Sequence, residues 1–318
     1  MRIVFFGTPD IAVPTLEAVH ASHEIAAVVC QPDRPKGRGN KVEPPATKVW
    51  AANHGIPILQ PTKLNDGTFA SWLREQRPDA GVLIAYGRIL KQPILDIPRL
   101  GILNLHPSLL PHYRGPSPIQ SALLNGESVT GVTIMRLSLE MDAGDIALQE
   151  TEHISEDDTG ITLSARLART GAALMLKALD LVESGQTVWR KQDGSRATYC
   201  RLIEKRDGQI DWSRSATEIH NLVRGAQPWP VAHCLFRGDV CRIHKTATAE
   251  GTSTLIPGTI ESVEKERILV ATGAGRIAVL EIQIPGKRAM SLEEYGRGKP
   301  LHVGEMFSSL GGNEVNRC

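Results

Sequence analysis

The first hundred or so residues alternate short apolar runs with stretches of helical period, and few folds accept that alternation. Residues 3–6 are apolar and end at Gly7-Thr8-Pro9-Asp10, after which Ile11, Val13, Leu16 and Val19 recur at helical spacing, with Thr8 or Asp10 available as cap. This predicts a strand, a tight turn and a helix. The pattern repeats through strands at 25–30, 57–59, 80–85 and 101–105, with helices at 46–53 and 68–76 between them. Continuous apolar strands alternating with helices predict a mostly parallel sheet covered on both faces, with ligands outside the carboxyl ends of the strands.

Beyond this region, 130–137 and 146–154 read as two further strands. Residues 161–183 then carry Leu163, Leu167, Leu174, Ala178 and Leu181 at helical period, and that helix closes a first domain at 1–189. The periodicity fades over 190–206, where Arg190, Lys191, Arg196, Arg201, Lys205 and Arg206 face only Asp193 and Glu204, which reads as a basic linker. A second domain at 207–318 opens with one helical stretch at 215–224. Short β-type runs follow at 231–236, 241–246, 258–263, 268–271 and 276–284, a pattern of small barrels or sandwiches. A length of 318 residues suits two domains, being roughly twice the usual ~150.

Composition narrows the function. Lys and Arg number 36 against 35 Asp and Glu, so the net charge of +1 excludes a globally basic coat, and any nucleic-acid contact must be local. No run approaches the ~18 apolar residues of a membrane span, and glycine and proline interrupt the first apolar run too early for a signal peptide, so a cytoplasmic protein without a membrane partner is expected. The five cysteines are odd in number and form no CxxC pair, which disfavours both disulfides and structural zinc. The Gly7 turn lacks the glycines of a dinucleotide fingerprint, so NAD is not expected. Gly37-Arg38-Gly39 lacks the Lys-Ser or Lys-Thr of a nucleotide-hydrolase loop; flanked by Arg34, Lys36 and Lys41, it reads either as a solvated loop or as cations on flexible backbone that reach phosphates.

The most informative stretch is 101–115, Gly-Ile-Leu-Asn-Leu-His-Pro-Ser-Leu-Leu-Pro-His-Tyr-Arg-Gly. Asn104 and His106 stand two apart on a strand that Pro107 ends, so an amide donor and an imidazole share one face at the strand's carboxyl end. The alternative is that both only satisfy backbone groups there. An imidazole suits proton transfer near neutrality and an amide can donate to an oxyanion, but the pair lacks an acid. The turn Glu140-Met141-Asp142-Ala143-Gly144-Asp145 supplies candidates, unless its acids bind only their own backbone. Ser108 is a rival nucleophile without the Gly-x-Ser-x-Gly elbow, so the set suits direct attack of a substrate amine on a carbonyl carbon.

Asn104-Leu-His106, Ser108-Leu-Leu-Pro111, Tyr113-Arg114-Gly115 and Asp142-Ala-Gly144 resemble the 10-formyltetrahydrofolate-dependent formyltransferases. Members acting on charged initiator tRNA are similar over essentially the whole chain, including Phe6-Gly-Thr-Pro-Asp10, the 31–39 stretch, Trp229 and 285–290. The resemblance implies a Rossmann-like α/β catalytic domain and an oligonucleotide-binding-type (OB-fold-like) barrel. Catalysis would fall to Asn104, His106 and Asp142, with the first two stabilising a tetrahedral oxyanion and Asp142 holding His106 charged. Folate contacts would carry over to Arg88, Ile89, Leu90, Ser108, Leu109, Leu110, Pro111, Met141, Ala143 and Gly144. The tRNA-contacting loop would be 31–45, with Arg38 foremost and Arg34, Lys36 and Lys41 beside it. Arg190, Lys191, Lys205 and Arg206 would extend a basic track along the linker. The expected reaction transfers the formyl group of 10-formyltetrahydrofolate to methionyl initiator tRNA, in a monomer and without a metal. Rivals are a sugar-amine formyltransferase, a formyltetrahydrofolate hydrolase and a non-catalytic tRNA-binding module.

Overall fold

The structure, a computed structural model, describes residues 1–36, 41–65 and 67–310. The chain divides into two compact units, Met1–Pro118 with Val129–His153 and Ser164–Arg201, and Ile119–Ser128 with Ile154–Leu163 and Leu202–Cys318. Up to Glu183 it forms strands β1 (Arg2–Gly7), β2 (Glu24–Val29), β3 (Arg34–Lys36), β4 (Lys41–Glu43), β5 (Ile58–Leu59), β6 (Ala80–Ile84), β7 (Ile102–His106), β8 (Val129–Arg136) and β9 (Ile146–His153). Its helices there are α1 (Val13–Ser22), α2 (Ala46–Asn53), α3 (Thr68–Glu75), α4 (Gln92–Leu95), α5 (Pro118–Leu124) and α6 (Gly160–Glu183).

Seven strands form the sheet of the first unit in the order β5-β2-β1-β6-β7-β8-β9. Pairing is parallel from β5 to β7 and antiparallel from β7 to β9. Ile3, Val4, Phe5 and Phe6 are wholly buried, as a strand covered on both faces requires, and each stabilises the fold by about 1.5–3 kcal/mol. Strand order reverses between β1 and β6, and in such sheets the crevice at that reversal is where ligands bind. β7 stands one strand further on, so its carboxyl end borders that crevice. The 34–41 stretch, read from sequence as a loop, has paired ends: Arg34 stands opposite Glu43 and Pro35 opposite Val42. Residues 190–201, read as the start of a linker, are tied to the first unit, with Arg190 and Ile146 exchanging hydrogen bonds and Arg114 N donating to Thr198 O.

The second unit adds α7 (Ala216–Gly225), β10 (Ala232–Phe236), β11 (Asp239–Ala249), β12 (Ile260–Val263), β13 (Ile268–Ala271), β14 (Arg276–Gln283), β15 (Met290–Ser291), α8 (Leu292–Gly298) and β16 (Phe307–Ser308). A capping box starts α7: the Ser215 hydroxyl accepts from Glu218 N, and the Glu218 carboxylate accepts from Ser215 N. The helix then buries Ile219 and Val223 in a core with Trp212, Phe236, Ile243 and Phe307. The antiparallel sheet runs β12-β13-β14-β11-β10-β16, with β15 on β14. It curls until its ends meet: Phe307 N donates to Gly258 O at 2.8 Å and Ile260 N to Glu305 O at 2.7 Å. This curled antiparallel sheet has the form of a small barrel, one of the two architectures that the five β-type runs anticipate.

Candidate active site

His106 ends β7 and Asn104 lies two residues before it, both buried. Pairing with β6 and β8 fixes the strand, Asn104 opposite Leu83 on one side and Met135 on the other. One imidazole nitrogen, Nε2, stands 2.9 Å from Tyr113 O; the other, Nδ1, stands 3.7 Å from Asp142 Oδ2. One ring nitrogen therefore lies within hydrogen-bond distance of a main-chain carbonyl while the other faces the Asp142 carboxylate.

Asp142 reaches this position through backbone geometry. It sits in a left-handed conformation, φ 52°, which Asp tolerates better than most residues, and Gly115 N donates to its Oδ2 at 2.8 Å. Gly144 follows, where a Cβ would lie 1.7 Å from Arg136 O, so only glycine lets the turn lie this close to β8. Of the three acids in the 140–145 turn, the structure brings Asp142 to His106. Glu140 pairs instead with the buried Arg114 at 3.2 Å.

Ser108 takes no nucleophile's position. It is buried, and its hydroxyl donates to His112 O at 2.6 Å. Thr133 and Gln149 brace the same loop: Thr133 Oγ1 donates to Ser108 O and accepts from Leu110 N, and Gln149 Nε2 donates to Leu110 O. Burial pushes the Cys30 thiol up to about 11 and the Tyr86 phenol to about 12, so neither serves as nucleophile or base near neutrality.

The other expected site residues divide. Arg88, Ile89 and Leu90 follow β6; Arg88 donates to Pro61 O and Thr62 O, Leu90 is buried, and Ile89 is 79% exposed. Leu110 packs with Met135 and Ile146, Leu109 and Pro111 are half-buried, and Ala143 lies in the turn beside the exposed Met141. Arg34 donates to Gln31, whose amide donates to Tyr86 O and Gly87 O beside the strand-order reversal. Arg38 and the side chains of Lys36 and Lys41 lie outside the described residues. Arg190 and Lys191 are exposed residues of the first unit, and Arg190 donates to Gln149. Lys205 and Arg206 belong to the second, where Arg206 pairs with Glu204. Sequence reasoning missed Gln192, Thr133 and Gln149, which act through backbone carbonyls and neighbours that no spacing rule reveals.

The family model described as formyl transferase matches residues 1–179, and that described as formyl transferase, C-terminal domain, matches 202–300. The chain belongs to the formyl transferase family. It is 44% identical to a methionyl-tRNA formyltransferase of Acetivibrio thermocellus, over 96% of this chain and 99% of the relative. A methionyl-tRNA formyltransferase of Geobacter sulfurreducens is 40% identical over 99% of both chains. In fold, this formyl transferase is similar to the N-formyltransferase of Helicobacter canadensis, solved with folinic acid and dTDP-3-aminofucose, at TM-score 0.66 and 20% identity over 87% of this chain and 98% of that one. Among its described residues, no helix is long and apolar enough to cross a membrane, and no group of three or more His, Cys, Asp or Glu residues is placed to hold a metal.

Proposed function

We propose that this protein transfers the formyl group of 10-formyltetrahydrofolate to the amino group of methionyl initiator tRNA, in the cytoplasm, giving N-formylmethionyl-tRNA. The observation that carries the reading is an Asn104-His106-Asp142 set in which the neighbouring serine is buried and already hydrogen-bonded, which leaves the attack to the acceptor's own amine. Asn104 donates toward the acyl oxygen as negative charge develops there, and positive charge on the His106 ring, whose nitrogens face Tyr113 O and Asp142, stabilises that charge. Asp142 keeps His106 oriented and takes up the amine's proton on the carboxylate oxygen that Gly115 N leaves free.

The folate co-substrate supplies an electrophilic formyl carbon. Exposed apolar side chains at Ile89, Leu139 and Met141, the latter two just ahead of Asp142 in its turn, suit the flat face of its ring system. Arg38 and its neighbours Arg34, Lys36 and Lys41 hold acceptor-end phosphates, Arg190, Lys191, Lys205 and Arg206 extend that contact, and the barrel of the second unit is of the oligonucleotide-binding type. A test incubates the protein with 10-formyltetrahydrofolate labelled in the formyl group and offers methionyl-tRNA, a nucleotide-sugar amine or water alone. Label on methionyl-tRNA is the expected result. Label on the sugar amine, or release as formate at the same rate without acceptor, refutes the assignment.

A further inference from the structure

The stretch from Arg190 to Cys200 reads in sequence as a run of surface cations, yet its one uncharged amide points inward. Gln192 Nε2 donates to Asp142 O and to Gly144 O, both at 2.8 Å. Its Oε1 accepts from Arg114 Nε at 3.2 Å and Nη2 at 2.8 Å. One side chain thus joins the Asp142 turn to the 113–115 turn. The first turn supplies the carboxylate that faces His106 Nδ1, and the second supplies both the carbonyl on His106 Nε2 and the amide on Asp142.

The orientation of this amide is settled by its partners. Rotated by 180° about its last bond, it would put oxygen against two carbonyls and NH₂ against a guanidinium, four mismatches in place of four hydrogen bonds. Glutamate could still accept from Arg114 but could donate to neither carbonyl. Lysine could donate but not accept. Methionine would fill the space and do neither. The 190–200 segment itself is anchored on both sides of the site, by Arg190 with Ile146 and by Thr198 N on Pro111 O and Arg114 N on Thr198 O.

We propose that Gln192 is a positioning residue for formyl transfer, holding Asp142 at its distance from His106 by clamping the two turns together. The proposal rests on the formyl-transfer reading. It assigns the 190–200 segment a part in organising the site, in addition to any charge it offers to RNA. An outer contact of this kind typically changes activity by about 10- to 100-fold when removed.

Gln192→Met and Gln192→Glu are the test variants, each measured alone and in an Asp142→Asn background. The expected result is a kcat lowered about 10- to 100-fold with the KM for methionyl-tRNA and for folate within threefold of wild type. In the Asp142→Asn background the same substitution should cost less than threefold more, because the group it positions is already gone. The ¹⁵N shifts of the His106 ring, assigned with His106→Ala, should move in both single variants; this readout requires no acceptor and survives a failure of the formyl-transfer reading. Unmoved ring shifts, a loss confined to KM, or full additivity with Asp142→Asn overturns the proposal. Should Gln192→Met not fold, Gln192→Glu, which keeps the Arg114 contact, carries the same tests. Wild-type protein that transfers no formyl group to methionyl-tRNA, with ring shifts that respond as stated, overturns the function and leaves the clamp.

Discussion

Gly144→Ala offers a steric test of the site that leaves every polar group in place. The added Cβ would lie 1.7 Å from the Arg136 carbonyl oxygen, and real Cβ atoms keep at least 3.0 Å, so the turn must retreat by about 1.3 Å. The obstacle cannot yield cheaply: Arg136 is in the β8 ladder, its N–H donates to Asp145 O at 2.9 Å, and it pairs with Leu103 of β7. The turn therefore moves and takes Asp142 with it. A misplacement of about 1 Å at a reacting centre costs on the order of 10²-fold in rate, and overpacking costs about 1–3 kcal/mol in stability. Single-turnover formyl transfer and thermal unfolding, measured on the same preparation, separate the two effects. Gly194→Ala is the control, because a Cβ there meets nothing within 4 Å, and it should leave both unchanged. A folded Gly144→Ala protein with kcat within threefold of wild type would falsify the claim that this turn sets the reacting geometry.

His106→Ala and Asn104→Ala should each lower kcat by about 10²–10³-fold while the protein stays folded by circular dichroism, the usual cost of losing one oxyanion donor; retention of a tenth of the activity removes that residue from catalysis. Arg38→Ala should raise the KM for methionyl-tRNA and flatten its salt dependence by roughly 0.7–0.9 in log–log slope per lost phosphate contact, with folate binding unchanged. Equal loss of folate affinity would place Arg38 at the donor instead. Burial holds His220 and His233 of the second unit below the ordinary 6.5, with the Arg224 guanidinium adding to the effect at His220. The unfolded chain then binds more protons just below pH 6.5, so this stabilisation is full above 6.5 and falls as the pH drops. Chemical denaturation at pH 7.5 and 5.5 should show the loss, and His220→Gln should reduce it; an unchanged difference assigns the acid sensitivity elsewhere.

What the sequence made legible is what local periodicity controls. β1 is buried on both faces, so its apolar run Ile3–Phe6 is unbroken, and Asn104 and His106 share a face of β7 because alternate residues on a strand must. β15 and β16 are two residues each, too short for any pattern, and exist because β14 and β10 offer them partners. The choice of Asp142 over Glu140 and Asp145 was open on chemistry alone, since it depends on a positive φ and on an amide at Gly115. Gln192 was hidden for a related reason: its hydrogen bonds go to groups 48 to 78 positions away in sequence, and two of those groups are main-chain carbonyls that every residue carries.

The ring of the second unit also sets an order of events during synthesis. β16 joins β10, and its neighbours bond to 258–260, yet it follows every other strand of that sheet in the chain. While the ribosome is still adding those residues, two rows of unpaired N–H and C=O groups stand open, one at each rim of a half-made sheet. Such rims recruit strands from other nascent chains. That exposure ends only when Phe307 and Ser308 emerge and pair with β10, so a stall in translation shortly before them prolongs it.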